Sequence, residues 1–106
     1  MSAGRDWSEI RSLLRDRRNS VAARVRAADD LMSLSPEKAL TELMELAGDE
    51  HEDEAVARRV GALLGRWYFE LGRGPNAAPL FHFTKAAFDG YDEGYAELEA
   101  QHRRSK

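Results

Sequence analysis

Apolar side chains recur every three or four residues along most of the chain, which is the spacing of one face of an α-helix. The clearest run is Val56, Val60, Leu64, Trp67 and Leu71, which fall on one side of a helix. No stretch alternates apolar and polar residues over the length of a β-strand, and the glycines and prolines lie between or near the ends of the helical runs. The pattern therefore predicts an all-α protein of about five to six helices.

Local signals indicate the boundaries of the first three helices. Apolar spacing predicts the first over residues 7 to 14 and the second over residues 21 to 32. For the third helix, Ser35 is a typical N-cap and Gly48 a typical C-terminal stop. Pro36 suits the first helical position between them, because its missing N–H costs nothing there.

The last third of the chain predicts two further helices. Residues 72 to 75 end the fourth helix, and Asn76 is positioned to cap a fifth, on which Phe88 would face inward. The Asp-Gly pair at 89 to 90 predicts another break, after which a final helix would begin at Tyr91.

Composition limits the class of protein. A chain of 106 residues corresponds to one domain that can bury a core without metal or disulfide staples. The absence of cysteine excludes disulfides, thiolate metal sites and nucleophilic thiols. The N-terminus lacks the apolar core of a secretory signal, and no apolar run reaches the roughly 20 residues that span a bilayer. We therefore expect a soluble, cytoplasmic protein.

Charge is divided into blocks, although the formal net charge is only −3. Residues 1 to 28 carry seven arginines and three acids, and residues 29 to 54 carry ten acids and one lysine. The first block contains an arginine run that could bind phosphate. The alternative is an exposed helix junction in which nearby acids balance the charge of the arginines. The second block should form an acidic patch across two neighbouring helices, which would either steer a basic partner or only keep the protein soluble.

The densest part of the acidic block, residues 49 to 54, matches no metal or catalytic motif. The HExxH zinc pattern needs a second histidine four residues after His51, where Ala55 stands. A calcium loop needs glycine in place of Glu54 and an acid in place of Val60. We predict no metal and no cofactor, and interpret the run as the solvated start of a helix, whose dipole it complements. No nucleophile triad or phosphate loop is signalled either, so we predict that the protein is not an enzyme.

An internal repeat has a period of 35 residues. VAARVRAA at 21 to 28 aligns with VARRVGAL at 56 to 63, and five of the eight positions are identical. This period is typical of helical solenoids, in which each helix pair buries its apolar face against the next pair.

The run DEAVARRVGALLGRW, residues 53 to 67, resembles the helix of HEAT-like repeats, which reads as an acidic start, Val, Arg, small residues and Ala-Leu-Gly. Leu63 stands where that family commonly has Ala, and the first copy ends in Asp29 and Asp30 in place of Ala-Leu-Gly. The resemblance implies a short right-handed helical solenoid within a single domain, residues 1 to 106. Residues 1 to 18 would form an N-terminal capping helix, 19 to 90 two repeats, and 91 to 106 a C-terminal helix with a frayed tail.

Helical solenoids act mostly by presenting a surface, so the resemblance implies a non-enzymatic protein-binding module. The chain is similar to small bacterial immunity proteins that neutralise toxins, which implies a basic toxin domain as its partner. An adaptor protein is one alternative, and a nucleic-acid binder is another, although nucleic acid and membrane are both disfavoured as partners. The nucleic-acid binder would use Arg15, Arg17, Arg18, Arg24 and Arg26. The candidate partner-binding residues are seven acids of the second block and two aromatic residues off the main stripe of their helix: Asp29, Asp30, Asp49, Glu50, Glu52, Asp53, Glu54, Tyr68 and Phe69. For Tyr68 and Phe69, packing against the last helices is the alternative.

Overall fold

The computed structural model describes residues 6–72 and 80–105. These ranges contain helices and turns but no strand, as the apolar spacing predicts. The predicted cap Asn76 lies outside the described residues. The helices are α1 (Trp7–Arg15), α2 (Val21–Leu34), α3 (Pro36–Ala47), α4 (Glu54–Glu70) and α5 (Lys85–Arg104), and a short 3₁₀ turn covers Leu80–His82.

Most of the helices begin at a side chain that accepts a hydrogen bond from the first turn. Such caps satisfy backbone N–H groups that have no partner within the helix. Ser35 precedes α3 as the sequence predicts, but its side chain makes no capping hydrogen bond. The capping side chains are Asp6 for α1, Ser20 for α2, Asp53 for α4 and Thr84 for α5.

The C-terminal region differs from the prediction. Lys85–Arg104 is one continuous helix, so neither the break at residues 89 to 90 nor a separate helix from Tyr91 is present. Phe88 is exposed, although it was expected to face inward. Glycine at position 90 is tolerated inside the helix because α4 approaches the α5 backbone closely at that point.

The core is one cluster of buried side chains to which all five helices contribute. Alanines in α2, α3 and α4 are among its buried members, so neighbouring helices can lie close together. The largest fully buried side chains are Leu14, Leu31, Leu43, Val56, Val60, Leu64 and Tyr91.

A seam of four glycines joins α4 to α5. Gly61 and Gly65 lie on α4, Gly90 and Gly94 lie on α5, and each faces the backbone of the opposite helix. A methyl group built on any of them would fall within 2.3 Å of a carbonyl oxygen of the other helix. The Gly61 and Gly65 spacing also occurs in membrane helix pairs, but no helix within 6–72 or 80–105 combines the length and apolarity needed to cross a bilayer.

Helices α2, α4 and α5 run in the same direction. Arg58 and Arg66 of α4 pair with Glu93 and Glu97 of α5, so the contacts advance along both helices together. Arg24 of α2 pairs with Glu52, just before α4 begins, and Asp29, five positions further along α2, pairs with Arg59, seven positions beyond Glu52. Helices α2, α4 and α5 are therefore parallel, and ion pairs that connect different helices join residues 27 to 35 positions apart.

Burial shows that α2 and α4 correspond in a register of 33 residues. The helices begin at Val21 and Glu54, which are 33 positions apart, and at this separation Leu31 and Leu64 are both fully buried. At the separation of 35 given by residue identity, exposed Val21 would correspond to fully buried Val56. The identical residues at 35 therefore do not occupy equivalent environments.

Candidate partner-binding surface

The two charge blocks of the sequence pair with each other in the structure. Arg11 and Arg15 of α1 both contact the carboxylate of Glu42 on α3, and Arg15 also reaches Glu45. Since the opposite charges lie about one helix pair apart in sequence, folding brings them side by side. Much of the acidic block is therefore neutralised within the protein, and so is much of the arginine run.

The carboxylate of Glu42 is contacted by two arginines. Burial disfavours its charged form, but hydrogen bonds from Arg15 and Arg11 outweigh that effect, so the pKa of Glu42 lies below its ordinary value. A carboxylate with a lowered folded-state pKa stabilises the fold above its unfolded pKa and loses that contribution as the pH falls through the folded value. Glu42 therefore contributes to stability at neutral pH.

Arg24 and Glu52 form the most buried ion pair among the described residues. Their side chains are 4% and 1% exposed, and Arg24 Nη2 lies 2.7 Å from Glu52 Oε2. Arg24 Nε donates to the carbonyl oxygen of Leu14, and the other Glu52 oxygen accepts from the backbone N–H of Asp53. The sequence indicated both side chains as surface candidates, but the structure places them in the interior, where they join α1 and α2 to the start of α4.

The other acids predicted to bind a partner divide into two groups. Asp29 pairs with Arg59, Asp49 pairs with Arg17, and Asp53 caps α4. Three more are exposed and make no ion pair with any described residue: Asp30, Glu50 and Glu54.

Tyr68 and Phe69 pack against α5, as in the alternative interpretation. The ring of Tyr68 meets Tyr91 edge-on at 6.0 Å between centroids, and Phe69 meets Tyr95 in the same way at 5.3 Å. Phe69 also contacts His102. Both residues, which the sequence predicted as aromatic anchors for a partner, are half-buried and stabilise the contact between α4 and α5.

Tyr91 lies at the centre of this aromatic group with a buried hydroxyl that has no hydrogen-bond partner among the described residues. Burial raises the pKa of Tyr91 to about 12, because the phenolate would be poorly solvated. An unpartnered buried hydroxyl costs about 1 to 3 kcal/mol.

We therefore expect Tyr91→Phe to raise the free energy of unfolding by about 1 kcal/mol, measured by urea denaturation at pH 7. The wild-type protein should also lose stability as the pH rises from 10 to 12, because the unfolded tyrosine releases its proton first. The Tyr91→Phe variant should not show this loss of stability between pH 10 and 12. Equal or lower stability of Tyr91→Phe at pH 7 would mean that the hydroxyl is satisfied in solution.

Phe81 is the aromatic residue that the sequence did not single out. Its side chain is 85% exposed and its ring lies 4.1 Å from that of His82. The segment is held in place by the backbone N–H of Thr84, which donates to the carbonyl of Ala47 at the end of α3. A signal was present, because Phe81 falls outside the apolar spacing of its neighbours.

These contacts place Phe81 beside the turn that connects α3 and α4. A methyl group built on Gly48, directly before that turn, would lie 3.1 Å from the carbonyl oxygen of His82, so the backbone next to Phe81 is close to the start of the turn. We define the turn surface as Glu50, His51, Asp53, Glu54 and Phe81, all of which are exposed. Within the described residues, no group of three or more acids and histidines is arranged to hold a metal ion.

No family model matches the chain, and neither a curated protein sequence nor a solved structure is significantly similar to it. The case for a function therefore rests on the geometry of the molecule.

Proposed function

We propose that the protein is a non-enzymatic binding module whose turn surface contacts a basic protein. One observation carries this assignment: the most exposed large apolar side chain among the described residues, Phe81, belongs to the segment whose backbone packs on the end of α3. Glu50 and Glu54, which are exposed and make no ion pair with a described residue, follow that point in the chain. An aromatic ring on a folded surface has no role in the core. It is suited to burial against a partner.

The two kinds of side chain would act at different stages of binding. Glu50 and Glu54 would attract a positively charged partner and increase the rate of encounter, an effect that salt weakens. Phe81 would then enter a pocket of the partner and slow dissociation, as aromatic anchors do in protein interfaces. Asp53 is already engaged as a helix cap and contributes only its remaining charge.

A HEAT-like solenoid and an immunity role are the finer parts of this proposal. The parallel course of α2, α4 and α5 supports stacked helix pairs, the arrangement that the resemblance of residues 53 to 67 implies. A toxin domain that attacks nucleic acid needs a basic cleft, and an acidic turn with one aromatic anchor is suited to occupy it. We therefore propose such a domain as the partner.

Ion pairing within the fold favours a protein partner over nucleic acid. Arg15 and Arg17 are held by acids of α3 and of the turn that follows it, and Arg18 is held by Asp16. Arg24 is buried. Phosphate would have to displace these carboxylates, so we expect weak retention on heparin at physiological salt.

The test compares two substitutions in the turn surface with a charge-matched control. We expect Glu50→Lys combined with Glu54→Lys, and separately Phe81→Ala, each to weaken binding of the captured partner at least about tenfold. The control combines Glu70→Lys with Asp92→Lys, which makes the same change in charge at exposed acids on α4 and α5. Glu52 must stay unchanged, because altering a buried charge would disturb the fold.

The measurement is a pull-down from the source organism's lysate at about 50 and 500 mM salt, followed by titration of the recovered protein by calorimetry. A single basic protein lost with both turn variants and kept by the control would support the proposal. Equal binding by all variants would contradict it. Recovery of nucleic acid, lost on Arg26→Ala, would favour the alternative function instead. Circular dichroism melts should show that all variants are folded, since every altered side chain is exposed.

A further inference from the structure

An apolar groove of about 750 Å³ lies between the first two helices, and every residue that lines it belongs to α1 or α2. Ile10 and Ala27 form part of its buried floor, with Leu13 half-buried beside them. Leu34 stands at one end and is 53% exposed. The groove shares no residue with the turn surface, so it calls for a separate explanation.

Two charged residues on α2, Arg26 and Asp30, also line the groove. They are exposed, stand one helical turn apart and carry opposite charge. Neither forms an ion pair with a residue in 6–72 or 80–105, although the other described arginines of α1, α2 and their connection are all engaged. The groove therefore offers one unpaired positive and one unpaired negative group side by side.

This pattern of charge is complementary to itself. If a second α2 lies antiparallel against the exposed face of the first, with a twofold axis midway between positions 26 and 30, Arg26 of each copy faces Asp30 of the other. The same arrangement brings exposed Leu34 of one copy over the start of α2 in the other. Ala23 and Ala27 leave room for the two helices to approach closely.

We propose that this groove is the interface of a symmetric dimer, with a second copy of the chain as its occupant. A partner of a single charge would leave one of Arg26 and Asp30 facing a like charge or no charge at all, whereas a second copy satisfies both. The groove and the turn surface have no residue in common. The dimer therefore does not depend on the function proposed for that surface.

The test uses reciprocal charge reversal in the full chain. The wild-type protein should form a dimer at about 100 µM or below in sedimentation equilibrium. Arg26→Asp alone places two aspartates against each other in each half of the interface, and Asp30→Arg alone places two arginines there, so each should weaken the dimer at least about tenfold. The double variant, Arg26→Asp with Asp30→Arg, should restore it.

Mixing the two single variants gives a second readout. Arg26→Asp and Asp30→Arg have complementary faces, so native mass spectrometry of the mixture should show the heterodimer in excess of either homodimer. Circular dichroism melts check that the single variants are folded, and the restored dimer of the double variant excludes a purely structural loss.

Two results would overturn the proposal. One is a wild-type protein that stays monomeric at about 1 mM, roughly ten times the concentration at which the dimer is expected. The other is a dimer that is indifferent to all three charge variants, which would place its interface elsewhere. If a monomeric wild type loses its captured partner on Arg26→Asp, the groove belongs to that partner and the dimer is excluded.

Discussion

Gly61→Ala should destabilise the protein by about 3 kcal/mol or more, although alanine is the better helix former by about 1 kcal/mol. The reason is the seam between α4 and α5, where the new methyl carbon would lie 1.9 Å from the carbonyl oxygen of Ala87. A backbone atom cannot rotate away as a side chain can, so the two helices must separate and expose the contacts around them. Urea denaturation measures the effect as a lower midpoint.

The other glycines should give a graded series. Gly90→Ala meets the carbonyl of Arg58 at the same 1.9 Å and should be as harmful, and Gly65→Ala and Gly94→Ala meet carbonyls at 2.2 and 2.3 Å. Gly72→Ala is the control, because no atom lies within 4 Å of the added methyl. Its only cost is the positive φ of 74°, on the order of 1 kcal/mol. A stabilised Gly61→Ala variant would show that α4 and α5 do not meet along this seam.

Arg24→Met should also destabilise the protein strongly, by about 3 to 5 kcal/mol, because it leaves the carboxylate of Glu52 buried without its partner. The methionine fills most of the volume that the arginine side chain occupied. The loss of stability is therefore due mainly to the unpaired charge of Glu52. The carbonyl of Leu14 also loses its donor, which adds to the effect. Chemical denaturation at pH 7 is the appropriate measurement.

A second substitution separates charge from packing. The double variant Arg24→Met with Glu52→Met removes both charges, and we expect it to recover much of the lost stability. Glu97→Gln serves as the comparison at an exposed ion pair, with an expected change within about 1 kcal/mol. If Arg24→Met alone costs no more than Glu97→Gln, water reaches the buried pair in solution.

The sequence predicted the helices well because apolar spacing and capping residues are local signals. It failed at residues 89 to 90, where an Asp-Gly pair that usually marks a break lies inside α5. Gly90 allows the backbone of α4 to approach α5 closely. A contact between segments that are distant in sequence does not change the local pattern of apolar and polar residues. The spacing of Gly61 and Gly65, which is typical of closely packed helix pairs, was the one visible sign of that contact.

The charged residues show a different limit of sequence reasoning. Composition indicated an acidic patch and an arginine run, with an exposed helix junction balanced by nearby acids as the alternative for the arginines, but it did not show which charges would pair. Pairing depends on which helices become neighbours, and this decided that Glu52 is buried while Glu50 and Glu54 are exposed. Opposite charges about 30 positions apart, close to one repeat, were the available clue. The exposure of Phe81 depends on the path of its segment across the end of α3, which no periodicity specifies.

The glycine seam also determines how the molecule can move. At each seam glycine, a carbonyl oxygen of the opposite helix occupies the position of a Cβ atom. Rotation of α4 or α5 about its axis, or a shift by one residue, would therefore bring side chains into collision with backbone. We expect the two helices to move as one rigid body. Rearrangement on binding must therefore be taken up where side chains separate the backbones, by hinge-like shifts of α1, α2 and α3 against that pair.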